Sequence, residues 1–422
     1  MKFRVLALDY DGTIARDGRA DPDVLAAIRE AQIHGIAVIL VTGRILSDLR
    51  RVLPEAGTFD AIVAENGAVI AFPNGRTRVM GRAPSQGLLA ELCAQRIGCS
   101  FGDCVIEAEA EDAPRILEAI RKLRLPLVLV FNRSRVMVLP QRINKAAGLR
   151  EALNTLRLSL HNCIGIGDAE NDHVLLDACE IGVAVEWGSK ALHKIADQIL
   201  PGNGPEAVAG YIREVSSHSK LPPVRACDRG VLLGTTADGP VTTELHGRNI
   251  LIAGDPRSGK SWITGLFCEH LLLEGYCLCI IDPEGDYATL ESLRGVVVFG
   301  GDEPPPRLSD VARALRHPDT SIVIDLSAIT HLEKLAYVRE LLPMLASLRR
   351  STGMPHWIVL DEAHYFLHPQ EGAHRVDLDL SGYVLITFRP SHLDPKILAA
   401  AETIIATPLT DPSEARALIA LC

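Results

Sequence analysis

Residues 5–13 read VLALDYDGT: four apolar residues, two aspartates one residue apart, and a Gly-Thr turn. So short an aliphatic run ending in charge and glycine predicts a buried parallel strand that presents its ligand groups at the carboxyl edge of a sheet. No basic residue stands between Asp9 and Asp11, so something cationic has to join them. A hard divalent ion held by oxygen meets that need, Mg2+ first, because it takes few protein carboxylates and accepts a phosphate in its shell. A DxD by itself is common turn chemistry. Delivered by a strand and closed by Gly12 and Thr13, it is much more selective.

Working outward, the strand opens a chain of 422 residues, too long for one ordinary core, which predicts two or three domains. Hydrophobic content of 47% with 23% charged residues fits a soluble globular protein, and no apolar run is long enough to span a bilayer, so no membrane partner is expected. The N-terminus runs almost directly into the first strand, leaving no room for a signal peptide. Ten Cys without CxxC spacing read as reduced and core-filling, which predicts a cytoplasmic protein without disulfides or structural zinc. The net charge of -10 is uneven: from Pro222 onward there are 17 Lys and Arg against 26 Asp and Glu. An acidic second half argues against a basic surface wrapped on DNA.

Three further stretches of the first half carry phosphate chemistry. Residues 36–44, IAVILVTGR, form a second strand pattern ending in Thr42, Gly43 and Arg44, where a hydroxyl and a backbone amide beside glycine make a cradle for a phosphoryl oxygen. Lys145 opens the helical pattern NKAAGLREALNTL, where the helix dipole disfavours it, and an ammonium there can neutralise a nucleophile and a phosphate. CIGIGDAEND, residues 163–172, places Asp168 and Asp172 four apart with Asn171 between them, the first carboxylate on the metal and the second behind it. Each has a plain reading alone: a Thr cap, a solvated Lys, an acidic helix start.

In order and at these separations, the four stretches resemble the motifs of the haloacid dehalogenase (HAD) superfamily of phosphatases, and VTGR fits its Cof-like branch. The resemblance implies a Rossmannoid parallel sheet with a short α/β cap: core over 1–80 and 141–215, cap over 81–140. Within the cap, helical patterns at Gln86–Ile97 and Pro114–Leu123 alternate with the strand-like runs CVIEAEA, LPLVLVFN and RVMVLP, and no residue stands out as a specificity determinant. Asn66-Gly67 reads as a turn between strands, and the resemblance adds that Asn66 faces the substrate. The implied chemistry has Asp9 attacking phosphorus to form an aspartyl-phosphate while Asp11 serves as general acid and base. Mg2+ is assigned to Asp9, Asp11 through its backbone carbonyl, Asp168 and Asp172. Thr42, Gly43, Arg44, Asn66, Lys145 and Asn171 are assigned to a small phosphorylated metabolite, a sugar phosphate among the candidates.

Residues 216–225, SSHSKLPPVR, read as a spacer with paired prolines, and RGVLLGTTADGPVTTEL after it as a hairpin turning at Asp238-Gly239. The third unit, 226–422, is organised around RNILIAGDPRSGKS. A strand, a GxxxxGKS loop and a helix predict a phosphate-binding loop made by Gly254, Asp255, Pro256, Arg257, Ser258, Gly259, Lys260 and Ser261. Lys260 then reaches the β and γ oxygens of ATP and Ser261 ligates Mg2+. HWIVLDEAH, residues 356–364, supplies a strand ending in Asp361 for the Mg2+ shell and Glu362 to polarise water. With DPEGDY and FRPSHL, these strings are similar to HerA-like and conjugation-type ATPases, which implies a RecA-like P-loop NTPase domain, a homo-oligomer, and Arg389 acting across a subunit interface. Two departures stand out: Phe388 replaces the Gln of those motors, and no basic module follows the last core strand. Two other readings compete, a polynucleotide kinase and phosphatase that heals nucleic-acid ends, and a phosphatase governed by a nucleotide-binding switch.

Overall fold

The computed structural model describes residues 2–132, 134–218, 230–237, 239–244, 248–369 and 375–421. Two compact units divide it, Phe3–Arg225 and one built on Ala226–Cys422. Most of the spacer at 216–225 and Asp238 of the hairpin turn lie outside the described residues.

The first unit begins with strand β1 (Val5–Asp9), a two-residue hairpin of β2 (Ala15–Arg16) and β3 (Arg19–Ala20), then β4 (Ala37–Val41), β5 (Ala61–Ala64), β6 (Val69–Ala71) and β7 (Thr77–Val79). The cap contributes β8 (Cys99–Phe101), β9 (Ile106–Glu109), β10 (Leu127–Asn132) and β11 (Arg135–Pro140). The chain then returns to the core with β12 (Cys163–Gly167), β13 (Ile181–Val185) and β14 (Gln198–Leu200). The core sheet runs β14-β13-β12-β1-β4-β5-β6-β7, parallel as far as β5 and antiparallel over β6 and β7. β1 therefore lies near the middle, and successive side chains go to opposite buried faces: Leu6 and Leu8 to one apolar cluster, Val5 and Ala7 to the other. Burial on both sides is why the run has no polar alternation.

Asp21 caps the Pro22–Ile33 helix, its Oδ1 accepting the amides of Asp23 and Val24. Asn144 caps Lys145–Leu156 in the same way through Ala147. The cap sheet is antiparallel in the order β10-β11-β9-β8. Ile106, Ala108, Val136 and Val138 pack with Leu88, Leu92, Ile116 and Ile120 of the helices Gln86–Ala94 and Ala113–Lys122. By the two-residue period, Glu107, Glu109, Arg135 and Met137 take the other face. The first cap helix ends at Ala94, three residues short of the predicted Ile97, because Gln95 already closes it with an amide to Glu91 O. Glu65 ties core to cap by accepting the amides of Asp103 and Cys104, 3.1 Å each.

In the second unit a hairpin of β15 (Gly230–Thr236) and β16 (Gly239–Glu244) precedes seven parallel strands: β17 (Ile250–Ala253), β18 (Leu278–Asp282), β19 (Val296–Gly300), β20 (Ser321–Asp325), β21 (Trp357–Leu360), β22 (Tyr383–Thr387) and β23 (Thr403–Ala406). Their order is β19-β20-β18-β21-β22-β17-β23. A helix over His331–Thr352 is opened by a Thr330–Glu333 capping box and stopped at Gly353, φ 84°. No helix among the described residues is long and apolar enough to cross a membrane.

Candidate functional site

β1 ends at Asp9, and Gly12, with φ 87°, turns the chain so that Asp11 lies beside it. Across the neighbouring strand ends stand Thr42 after β4 and Asp168 after β12. A cavity of about 470 Å³ opens over them, walled by Asp9, Asp11, Thr42, Gly43, Arg44, Asp168 and Asn171 of the core and by Glu107, Asn132, Ser134, Arg135 and Met137 of the cap. Seven of the assigned residues are thus brought together.

Lys145 and Asp172 are buried behind Asp9 rather than on the cavity wall. Lys145 Nζ donates to Asp9 Oδ1 and to Asp172 Oδ1, 2.5 Å each. Burial works against the ammonium, yet the Asp172 and Asp9 carboxylates outweigh it and raise its pKa. Asp9 is pushed well up, first by burial, then by Asp172, with Lys145 opposing. Asp172 Oδ2 accepts the amides of Asp168 and Ala169, both at 3.1 Å. Asp172 thus holds Lys145 and the Asp168 backbone in place.

Oxygen atoms of Asp9, Asp168 and Asp172 lie within 4.8 Å of one another, all three residues buried. One ammonium does not balance three carboxylates, and an all-oxygen donor set of this charge fits Mg2+. Thr42 Oγ1 accepts the Arg44 amide at 3.1 Å, which leaves its own proton for an incoming oxygen. Arg44 forks Asp11, with Nε to Oδ2 and Nη2 to Oδ1 both at 2.6 Å, a contact the sequence did not announce. Asn66 is buried with φ 54°, its amide donating to Thr42 O, and it does not line the cavity. It braces the Thr42 loop from below. The cap residues were missed outright, although alternation in IEAE and RVMV separates the helix-facing apolar residues from Glu107 and Arg135.

In the second unit, Gly254–Gly259 joins β17 to the helix Lys260–Leu273. Arg257 at φ 64° and Gly259 at φ 96° bend the loop back on itself. Lys260 Nζ donates to Asp255 O at 2.9 Å, within its own loop, while Asp255 Oδ2 accepts the Thr410 amide and Ser258 pairs with Thr407. Pro256 completes the turn. β22 separates β17 from β21, whose end carries Asp361 and Glu362. Asp361 accepts from Tyr287 OH at 3.1 Å and is pushed up to about 6, chiefly by burial. Glu362, with φ 45°, is pushed up to about 7 by burial and by Asp361, with nearby Lys260 opposing.

Ser261 lines a cavity of about 460 Å³ with Trp262 and Asp286. DPEGDY forms an acidic turn in which Asp282 accepts the amides of Glu284, Gly285, Asp286 and Tyr287. Arg389 has its guanidinium 5.2 Å from the Phe388 ring, and Phe388 meets His364 edge-on at 4.5 Å. Burial and the Arg389 charge push His364 down to about 4. Tyr287, Thr387 and His364 carried no sequence signal of their own: Thr387 Oγ1 sits 3.1 Å from His364 Nδ1 only because β22 lies beside β21.

The sequence model of the haloacid dehalogenase-like hydrolases matches residues 6–88 and 96–212. A phosphoglycolate phosphatase of Methanothermobacter thermautotrophicus is 29% identical over 224 residues, 50% of this chain and 98% of that protein. The 5-amino-6-(5-phospho-D-ribitylamino)uracil phosphatase of Bacillus subtilis is 24% identical over 239 residues, 50% of this chain and 95% of that one. Among solved structures, Thermoplasma acidophilum 0175 superposes with a TM-score of 0.44 and 16% identity, over 51% of this chain and 99% of that chain. A haloacid dehalogenase-like hydrolase of Bacteroides thetaiotaomicron gives 0.45 and 18%, over 51% of this chain and 100% of that one.

Proposed function

The N-terminal half of this chain belongs to the haloacid dehalogenase-like hydrolases, in their Cof-like branch, and from that premise we propose a Mg2+-dependent phosphatase of small phosphate esters, sugar phosphates among them, joined to an ATP-binding and ATP-hydrolysing P-loop unit. The observation that carries the first activity is the buried array of Asp9, Lys145 and Asp172 with Asp168 within reach.

Asp9 attacks phosphorus in line, so that an aspartyl-phosphate forms as the ester oxygen departs. Asp11 gives that oxygen its proton and then takes one from the water that cleaves the acyl phosphate, returning Asp9. Before Asp11 can carry a proton, at least one of its oxygens must leave the Arg44 fork. Thr42 and Lys145 meet the charge that develops on the phosphoryl oxygens. Asp9, Asp168 and the Asp11 carbonyl would hold Mg2+, which would supply the remaining neutralisation. The full chain is expected to turn over p-nitrophenyl phosphate with Mg2+ and to form a hydroxylamine-sensitive phosphoenzyme. Chelation that leaves turnover intact would defeat this reading.

For the second unit, support comes from Lys260 inside a loop between strand and helix, with Glu362 near enough to feel its charge. Glu362 is the proposed water-polarising base, Asp361 and Ser261 the Mg2+ ligands, and Gly254–Ser261 with Arg389 the ATP contacts. A nucleotide-operated switch is the second reading, favoured by Phe388 packing on His364 where a motor would carry Gln. Binding of ATP without phosphate release would select it.

A further inference from the structure

The cap wall decides what kind of leaving group the cavity admits. Arg135 is its one described cation, and it is already engaged: Nε donates to Glu107 Oε1 at 3.1 Å, and Nη1 pairs with Glu109. Both glutamates stand on the cavity-facing side of β9, one strand over from β11, so the pairing is fixed by sheet register rather than by a chance rotamer. Across the cavity, Arg44 spends its fork on Asp11, and the Glu107 charge reaches it as well.

Among the described residues, then, the cavity is lined by five carboxylates (Asp9, Asp11, Asp48, Glu107 and Asp168) against two guanidiniums. Lys145 is shared with Asp172 behind the wall, and the substrate's own phosphate adds negative charge. Among the described residues, a carboxylate on the leaving group would face Glu107 beside an Arg135 already paired with it. Hydroxyl groups would find acceptors and donors in Glu107, Asn132 and Ser134.

From this we infer that Glu107, held in place by Arg135, is a specificity determinant that rejects carboxylate-bearing phosphate esters and favours those whose leaving group is uncharged and hydroxylated. The inference rests on the phosphatase reading of the same site. It separates this chain from what the name of its phosphoglycolate phosphatase relative says of that protein, and it uses repulsion as much as attraction.

The test is a ratio of kcat/KM values within one protein sample, which cancels differences in folded fraction. The probes are 2-phosphoglycolate and 2-hydroxyethyl phosphate, which differ in a carboxylate against a hydroxymethyl group. The unmodified protein with Mg2+ is expected to prefer 2-hydroxyethyl phosphate by about tenfold or more, the scale of a like-charge contact. Glu107→Gln, which frees Arg135 and removes the opposing charge, is expected to move the ratio about tenfold or more toward 2-phosphoglycolate. Arg135→Gln, which leaves Glu107 unneutralised, should move it the other way. Opposite signs are the mark of charge selection, since general damage to the cap would shift both variants alike. Preference for 2-phosphoglycolate in the unmodified protein, or same-sign shifts, would overturn the inference while leaving the phosphatase reading standing. No turnover of either probe or of p-nitrophenyl phosphate would instead strike that reading itself.

Discussion

Two lysines, one in each unit, show two ways of managing acids at the end of a parallel strand. Lys145 is inserted between Asp9 and Asp172 at 2.5 Å from each, so its site is held together before any ligand arrives. Lys260 is turned onto a carbonyl of its own loop, and Asp361 and Glu362 are left to rise toward about 6 and about 7. Burial raises all three carboxylates, but Asp9 alone has an ammonium in direct contact to oppose it. The first set of charges is tied together by its lysine, and the second is not.

The largest effect that sharpens this contrast is loss of the nucleophile. Asp9→Asn should lower p-nitrophenyl phosphate turnover by about 10⁴-fold or more while leaving any ATP hydrolysis unchanged. Equal loss of both would mean one site performs all the chemistry. Exchange of each lysine comes next. Lys145→Met strands buried Asp9 and Asp172 and is expected to destabilise the Mg2+-free first unit by about 3–5 kcal/mol in denaturant unfolding. Lys260→Met should barely move the melting temperature but abolish nucleotide binding; comparable melting shifts in the two variants would break the comparison. Glu362→Gln should reduce phosphate release from ATP by about 10²–10⁴-fold with phosphatase turnover preserved.

The smallest effect is a pH dependence of the second unit without Mg2+ or nucleotide. Glu362 and Asp361 bind protons more tightly folded than unfolded, so their contribution to stability falls as pH rises from about 4 to about 7, the opposite of a salt-bridged acid. Calorimetric unfolding between pH 5 and 8 is the measurement, with a total decline of about 1–3 kcal/mol across that range as the scale. Mg2+ with ATP should erase the trend and release protons on binding; stability that rises through this window would contradict the burial that raises both groups.

How much was legible follows from how local each signal is. VLALDYDGT, IAVILVTGR and ILIAGDPRSGKS each pack a strand and the turn after it into a few consecutive residues, because backbone geometry forces them to be neighbours. The helix opened by Lys145 was readable for the same reason. Asn66 was misdirected: a left-handed residue in a tight turn looks the same in sequence whether it faces a ligand or braces the strand beneath one.

The chain by itself determined that acids and glycines would gather at the ends of central strands, and which residues those are, since apolar runs can only become buried strands with their polar termini at an edge. Only the tertiary structure decided the partnerships: Arg44 on Asp11, Lys145 between two acids, Arg135 shared by Glu107 and Glu109, Lys260 folded onto its own loop. Such pairings join residues up to 136 positions apart, and a charge falls off with distance in space rather than along the chain, so no local pattern could carry them.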